Sequence, residues 1–135
     1  VDEHLCRCGA QASVRELIER CAAIAAGVEP GRAAVASVAR RHGSLPMSAS
    51  AKMLVTLDGE RLGTVGGGCL EAEITERAMA VAASGVPELS KHTLNHDLAG
   101  DYGLTCGGTV ELLIEPVFAD QALAEVWSGA VAALD

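Results

Sequence analysis

The sequence predicts an α/β domain: a mixed, partly antiparallel sheet of about five strands with helices packed on it. Three observations predict it. Segments that alternate with period two, Thr109 to Pro116 the clearest, are interleaved with segments whose apolar residues recur at helical spacing. Asp58-Gly59 stands between two short strand-like runs, so at least part of the sheet folds back as an antiparallel hairpin. The run Gly66-Gly67-Gly68 falls where a strand pattern gives way to a helical one, as when a chain leaves a sheet to cross its face.

The elements follow in order. From Ser13 to Gly27, the residues Val14, Leu17, Ile18, Cys21, Ala22 and Ile24 make a helical stripe. Ser13 with Glu16 three residues on reads as a capping box, and Gly27 as the C-terminal cap. Pro30-Gly31 is a turn, and Ala33 to Ala39 a first strand. Gly43 to Ala51 is a loop of small residues, Lys52 to Leu57 a second strand and Arg61 to Val65 a third. Leu70, Ile74, Ala78, Val81 and Ala82 form the next helical stripe, which ends near Gly85. Glu88 to Leu94 reads as a fourth strand and Asn95 to Thr105 as a polar loop with Asp97, Asp101 and Gly103. Thr109 to Pro116 is the fifth strand, and Ala119 to Leu134 a last helix. Residues 1–12 precede the first cap and show no periodicity, so a flexible N-terminal segment ahead of one domain, 13–135, is expected.

Composition bounds the function. A chain of 135 residues can build one core, and half of its residues are apolar. Tyr102, Phe118 and Trp127 are its only aromatics, so aliphatic side chains and alanine must fill that core. A net charge of −8 disfavours nucleic acid and anionic membrane surfaces as partners. No apolar run is long enough to span a bilayer, and no segment has the layout of a signal peptide. Five cysteines without the spacing of a disulfide scaffold make a reducing, cytoplasmic setting the expectation.

Two cysteines are embedded in glycines: Gly66-Gly67-Gly68-Cys69 and Cys106-Gly107-Gly108. A strand, a glycine turn and a helix start aim free amides and the positive end of a helix dipole at one point, which suits an anion. A packing turn that needs glycine for close approach is the equally weighted alternative. The glycines match neither a dinucleotide fingerprint nor a phosphate-binding P-loop. A cysteine at a helix start has its thiol acidified, although most free cysteines are small buried hydrophobes. Cys106, between a polar loop and two glycines, is poorly placed for core filling. Cys21 lies on the first helical stripe and reads as core. Cys6-Arg7-Cys8-Gly9 resembles a stretch of the iron–sulfur subunits of molybdenum hydroxylases, but the chain lacks the CxxC that a cluster needs.

Ser44-Leu45-Pro46, Lys52-Met53-Leu54-Val55, Gly63 to Glu71 (GTVGGGCLE) and Leu104 to Glu111 (LTCGGTVE) occur in this order. Together they resemble the XdhC/CoxI family, the xanthine dehydrogenase accessory factors, over roughly Val14 to Val117. The resemblance implies a protein without turnover of its own. It would bind the molybdenum cofactor (molybdopterin), protect it while a cysteine desulfurase supplies its sulfido ligand, and deliver it to a xanthine dehydrogenase-type hydroxylase. The typical member carries a second, Rossmann-like domain.

The candidate cofactor-binding residues are Gly66, Gly67, Gly68, Cys69, Cys106, Gly107, Gly108, Ser44 and Lys52; Cys106, between the polar loop and Gly107-Gly108 where solvent and ligand can both reach it, is expected nearest the metal. Two positions depart from the family pattern: Met47 stands where arginine is usual, and Ser50 where glycine is usual. Arg40, Arg41 and Lys52 could supply the missing charge. Two other readings compete: a sulfur-transfer enzyme with a cysteine persulfide, and an interaction domain that has lost its ligand. Self-association is left open.

Overall fold

A computed structural model describes residues 2–43, 47–66, 68–94 and 108–134, and side chains among them from Val14 onward, except at residues 68, 69 and 94. The order is α1 (Asp2–Ala25), β1 (Ala33–His42), β2 (Lys52–Thr56), β3 (Arg61–Thr64), α2 (Gly68–Ser84), β4 (Glu88–Leu94), β5 (Gly108–Val117) and α3 (Gln121–Ala133). It repeats the expected succession of elements. The five strands form one sheet in the order β3-β2-β1-β5-β4.

Every described strand pair is antiparallel, so the parallel component expected of the sheet is absent among the described residues. The reason is the route of α2. It carries the chain from one edge of the sheet to the other, and β3 and β4 run in the same sense without being neighbours. Parallel pairing needs such a crossover to return beside its own strand, and here three strands intervene.

Helices cover both faces. On one, Ile74, Ala78, Val81 and Ala82 of α2 pack against Ala34 and Ala36 of β1, Met53 and Val55 of β2, and Val110, Leu112 and Ile114 of β5. On the other, Leu17, Ile18, Cys21 and Ile24 of α1 pack with Val35, Leu54 and Val117, and Leu123 and Trp127 of α3 lean on that cluster. Leu17, Ile24, Leu54, Ile74 and Ile114 are completely or almost completely removed from solvent, each contributing about 1.5–3 kcal/mol. The first four residues of β1 are buried against helices on both sides, and three of them are alanines, whose small size lets both layers approach.

The α1 backbone runs unbroken from Asp2, so Ser13 lies within the helix and caps nothing. The residues before it, Ala10-Gln11-Ala12, are strong helix formers and carry the pattern on. The side chains of residues 1–13, Cys6 and Cys8 among them, lie outside the described residues. The other end of α1 is as expected: Gly27 N–H bonds the Ile24 carbonyl and Val28 N–H that of Ala23, the paired bonds of a Schellman cap. Asp120 caps α3 through Oδ2, which accepts from Leu123 N at 3.1 Å, while its own N–H bonds the Ala25 carbonyl at the end of α1.

Strand β1 extends three residues beyond its expected end, through Arg40, Arg41 and His42, because β5 continues to pair with it after β2 has stopped. A bulge between Val38 and Arg40 shifts that register. In the β2–β3 hairpin, Thr56 Oγ1 donates to Asp58 Oδ1 and accepts from Glu60 N, and Arg20 of α1 holds the far side through Glu60 and Glu29.

Gly63 leaves no room for a side chain. Its φ is +88°, and a Cβ there would run into the Lys52 carbonyl oxygen and approach Leu17 Cδ1 to 3.3 Å. Gly63→Ala is therefore expected to destabilise the fold by more than about 2 kcal/mol in chemical denaturation. Gly129→Ala is the control. It lies in α3 with nothing near its Cβ position, and alanine there should add up to about 1 kcal/mol.

Candidate functional site

The strand, glycine turn and helix foreseen around Gly66 are present. β3 ends at Thr64, Val65 is buried as an anchor, and α2 starts at Gly68 with Leu70 and Ile74 turned into the core. Gly66 has a φ of +133°, and its N–H donates to Thr64 Oγ1 at 3.1 Å. The Thr64 hydroxyl in turn donates to Glu71 Oε2, and Arg61 Nη1 lies 3.3 Å from Glu71 Oε1. A carboxylate thus stands at the first turn of α2, where the helix dipole favours it, and a guanidinium balances its charge.

The segment facing this turn is tied to it. Met47 is only 5% exposed, and its Cε would lie 3.3 Å from a Cβ built on Gly66. Arg41 Nη1 donates to the Met47 carbonyl at 2.6 Å. Ser48 and Ser50 share a hydroxyl contact of 3.0 Å, and Ala51 O accepts from Val38 N. Met47 is a core residue packed against Gly66, and Arg41 brings a positive charge to the same segment.

Register shows how the expected site residues are distributed. Lys52 opposes Thr64 on one side and Ser37 on the other, His42 opposes Thr109, and Leu94 opposes Gly108. The ends of β1, β3 and β4 and the starts of β2 and β5 therefore share one end of the sheet. Gly66 and Gly68 leave from β3 at that end, and Gly108 opens β5 there. Cys69 is in the first turn of α2, its side chain outside the described residues; Ser44, Gly67, Cys106 and Gly107 lie outside them altogether.

Lys52 is not directed at the glycine turn. Its ammonium donates to Ser37 Oγ at 3.2 Å, on the face shared with Val35 and Leu54 and opposite α2. The sequence reading had no role for Thr64, Arg61 and Glu71. Their only signal was that a threonine and a glutamate bracket the glycines.

A second polar cluster lies under α2 at the β4 edge. Ser90 Oγ is 2.5 Å from His92 Nε2, and His92 Nδ1 is 3.9 Å from Glu73 Oε2. Arg77 pairs with both Glu73 and Glu88. Burial holds His92 below its ordinary pKa, with Glu73 opposing. Burial likewise pushes the Cys21 thiol up to about 12, so it is an inert core group as expected. Among the described residues, no three metal-ligating side chains gather and no helix is long and apolar enough to cross a membrane.

Residues 28–93, from the turn before β1 almost to the end of β4, match the model of the XdhC and CoxI family. The chain is a member of that family. It is 33% identical over 81 residues to the uncharacterized protein YqeB of Escherichia coli K12, which covers 60% of this chain and 15% of that protein. It is also similar to a crystal structure described as a xanthine dehydrogenase from Bacillus halodurans. There the TM-score is 0.68 and the identity 30%, over 89% of this chain and 34% of the other. The chain thus spans well under half the length of either relative.

His92 sets a pH dependence. Its folded pKa lies below the ordinary 6.5, so the fold favours the neutral ring. Its contribution is intact above the unfolded pKa and is lost as pH falls from there through the folded value. Stability measured by denaturation should therefore decline below about pH 6.5, and His92→Gln should lose that part of the decline. An unchanged slope would show that His92 does not cause it.

Proposed function

We propose that this chain is an accessory protein of xanthine dehydrogenase maturation: it holds the molybdenum cofactor as cargo while a cysteine desulfurase supplies its sulfido ligand, then passes it to a xanthine dehydrogenase-type hydroxylase. The observation that carries the reading is the family match over residues 28–93, joined to a register that brings Gly66–Gly68 and the start of β5 to the same end of the sheet.

The cargo has an anionic phosphate and a soft metal–sulfur centre, and the residues at this end of the sheet suit both. Gly66 is already occupied, its N–H by Thr64 and its Cβ space by Met47. The phosphate therefore falls to the first-turn amides of α2, at Gly68, Cys69 and Leu70, which have no partner within the helix. Arg61 offsets the Glu71 carboxylate beside them. The start of β5 would bring Cys106, with Gly107 and Gly108, to the metal–sulfur end, where thiolate is a fitting ligand. Cys69 begins a helix that packs on the sheet, and its thiol has the weaker claim.

A second reading has its own support. Met47 fills the space over Gly66 where the family pattern has arginine, as expected of an interaction domain that has lost its ligand.

Anaerobic purification from a host with a complete cofactor pathway separates these readings. Molybdenum, pterin and sulfane sulfur are measured on the same sample. Molybdenum and pterin in equal amounts are expected, and Cys106→Ser should lose molybdenum more than Cys69→Ser with little change in melting temperature. Sulfane sulfur without molybdenum would mark a persulfide enzyme. Absence of all three, with the hydroxylase still bound, would mark the ligand-free domain. Loss in the Cys69 variant alone would reverse the roles of the two cysteines.

A further inference from the structure

Helices cover the sheet unequally. On the α1 side, α1 packs over β3 and β2 with α3 set against α1, while among the described residues β4, the start of β5 and the end of β1 are left uncovered. Register gives the pattern of this open area: Leu89 opposes Leu113, which opposes Ser37; Lys91 opposes Glu111, which opposes Arg40. Leu89 is 59% exposed and Leu113 half-buried, so the pair forms an apolar floor at the sheet edge. Arg40 and Lys91 are exposed and form no ion pair among the described residues, although Glu111 stands between them in register. Lys52, bonded to Ser37, belongs to the same face.

The distribution of charge is the unusual point. The chain has a net charge of −8 and only two lysines, and both are on this face beside Arg40. The other arginines among the described side chains are engaged: Arg20, Arg61 and Arg77 with carboxylates, Arg15, Arg32 and Arg41 with backbone carbonyls. A charge at an edge strand discourages edge-to-edge pairing, but a glutamate would do so equally well in an acidic chain. A second copy is a poor occupant. Two such faces would set cation against cation, and an acidic face of the copy would give a head-to-tail contact that need not close.

We infer that this open face of β4, β5 and the end of β1 is where the chain docks its partner enzyme, with carboxylates on the partner meeting Arg40 and Lys91 around an apolar side chain seated on Leu89 and Leu113. The inference rests on the reading that the partner is a xanthine dehydrogenase-type hydroxylase. It leaves the glycine turn and the opposite face to the cargo, so that cargo and acceptor meet the chain at different residues.

The test is calorimetric titration of the purified hydroxylase from the same organism with the wild-type chain, the Arg40→Gln/Lys91→Gln double variant and Leu89→Ser, at low and high salt. Glutamine avoids a row of carboxylates with Glu111. Molybdenum, pterin and melting temperature are measured on every preparation. The double variant should bind at least about tenfold more weakly and lose most of the salt dependence, and Leu89→Ser should weaken binding at both salts. Arg40, opposite Glu111, is on the face away from α2 and not, like Arg41, on the side of the glycine turn, so cofactor content and melting temperature should not change in either. Affinity equal to wild type overturns the inference, as does cofactor loss in these variants, which would assign the face to the cargo. A wild-type dimer that the double variant dissociates also overturns it, in favour of self-association. A wild-type chain that carries cofactor but does not bind the hydroxylase overturns the docking face alone. One that does neither overturns the functional reading, and the docking face with it.

Discussion

The structure depends on β1 being paired on both edges and buried on both faces. Its first half, Ala33 to Ala36, has β2 on one side, β5 on the other, α2 on one face and the α1 cluster on the other. Small side chains there are what allow two helical layers to close on one strand. Antiparallel pairing with both neighbours then fixes where the remaining ends go. β1 arrives at the end of the sheet from which β2 and β5 set out, and β3 and β4 arrive there too. Of the residues implied in ligand binding, this register brings Gly66, Gly68 and Gly108, from separate parts of the chain, to that end of the sheet.

The glycine turn shows how packing and chemistry compete for the same atoms. Gly66 looks in sequence like part of an anion cradle, yet its amide serves Thr64 and its open side admits Met47. Arg41, one strand-end away, holds the Met47 carbonyl and so fixes the segment that lies over the turn. Charge also balances locally, with Glu71 set between the α2 dipole and Arg61. What is left over for a ligand is the first turn of α2. That is a narrower offer than the three consecutive glycines suggest, and it makes the two ends of the proposed site chemically distinct.

Element order was legible because each element announces itself locally. Thr109 to Pro116 alternates, Asp58-Gly59 marks a hairpin, and Gly27 ends a helix in the way its hydrogen bonds require. Strand partners were less legible, because the Asp58-Gly59 hairpin fixes one antiparallel pair and no local pattern states that the α2 crossover spans the width of the sheet. Ser13 misled because a capping pattern cannot stop a helix whose preceding residues also favour it. Lys52 was expected as a charge available to the cargo site, and its position two residues before Leu54 places both on the α1 face, where its ammonium donates to Ser37 Oγ. The Thr64–Glu71–Arg61 network was hidden because its three members belong to two elements whose docking angle no local pattern states.

The central claim is that segments far apart in sequence, the turn from β3 into α2 and the start of β5, make one site. Amide hydrogen exchange of the protein with and without bound molybdenum cofactor tests it most directly. The account predicts that cofactor slows exchange in both segments, across Gly68 to Leu70 and across Cys106 to Gly108, with little change in α3. Protection confined to one of the two segments would contradict it.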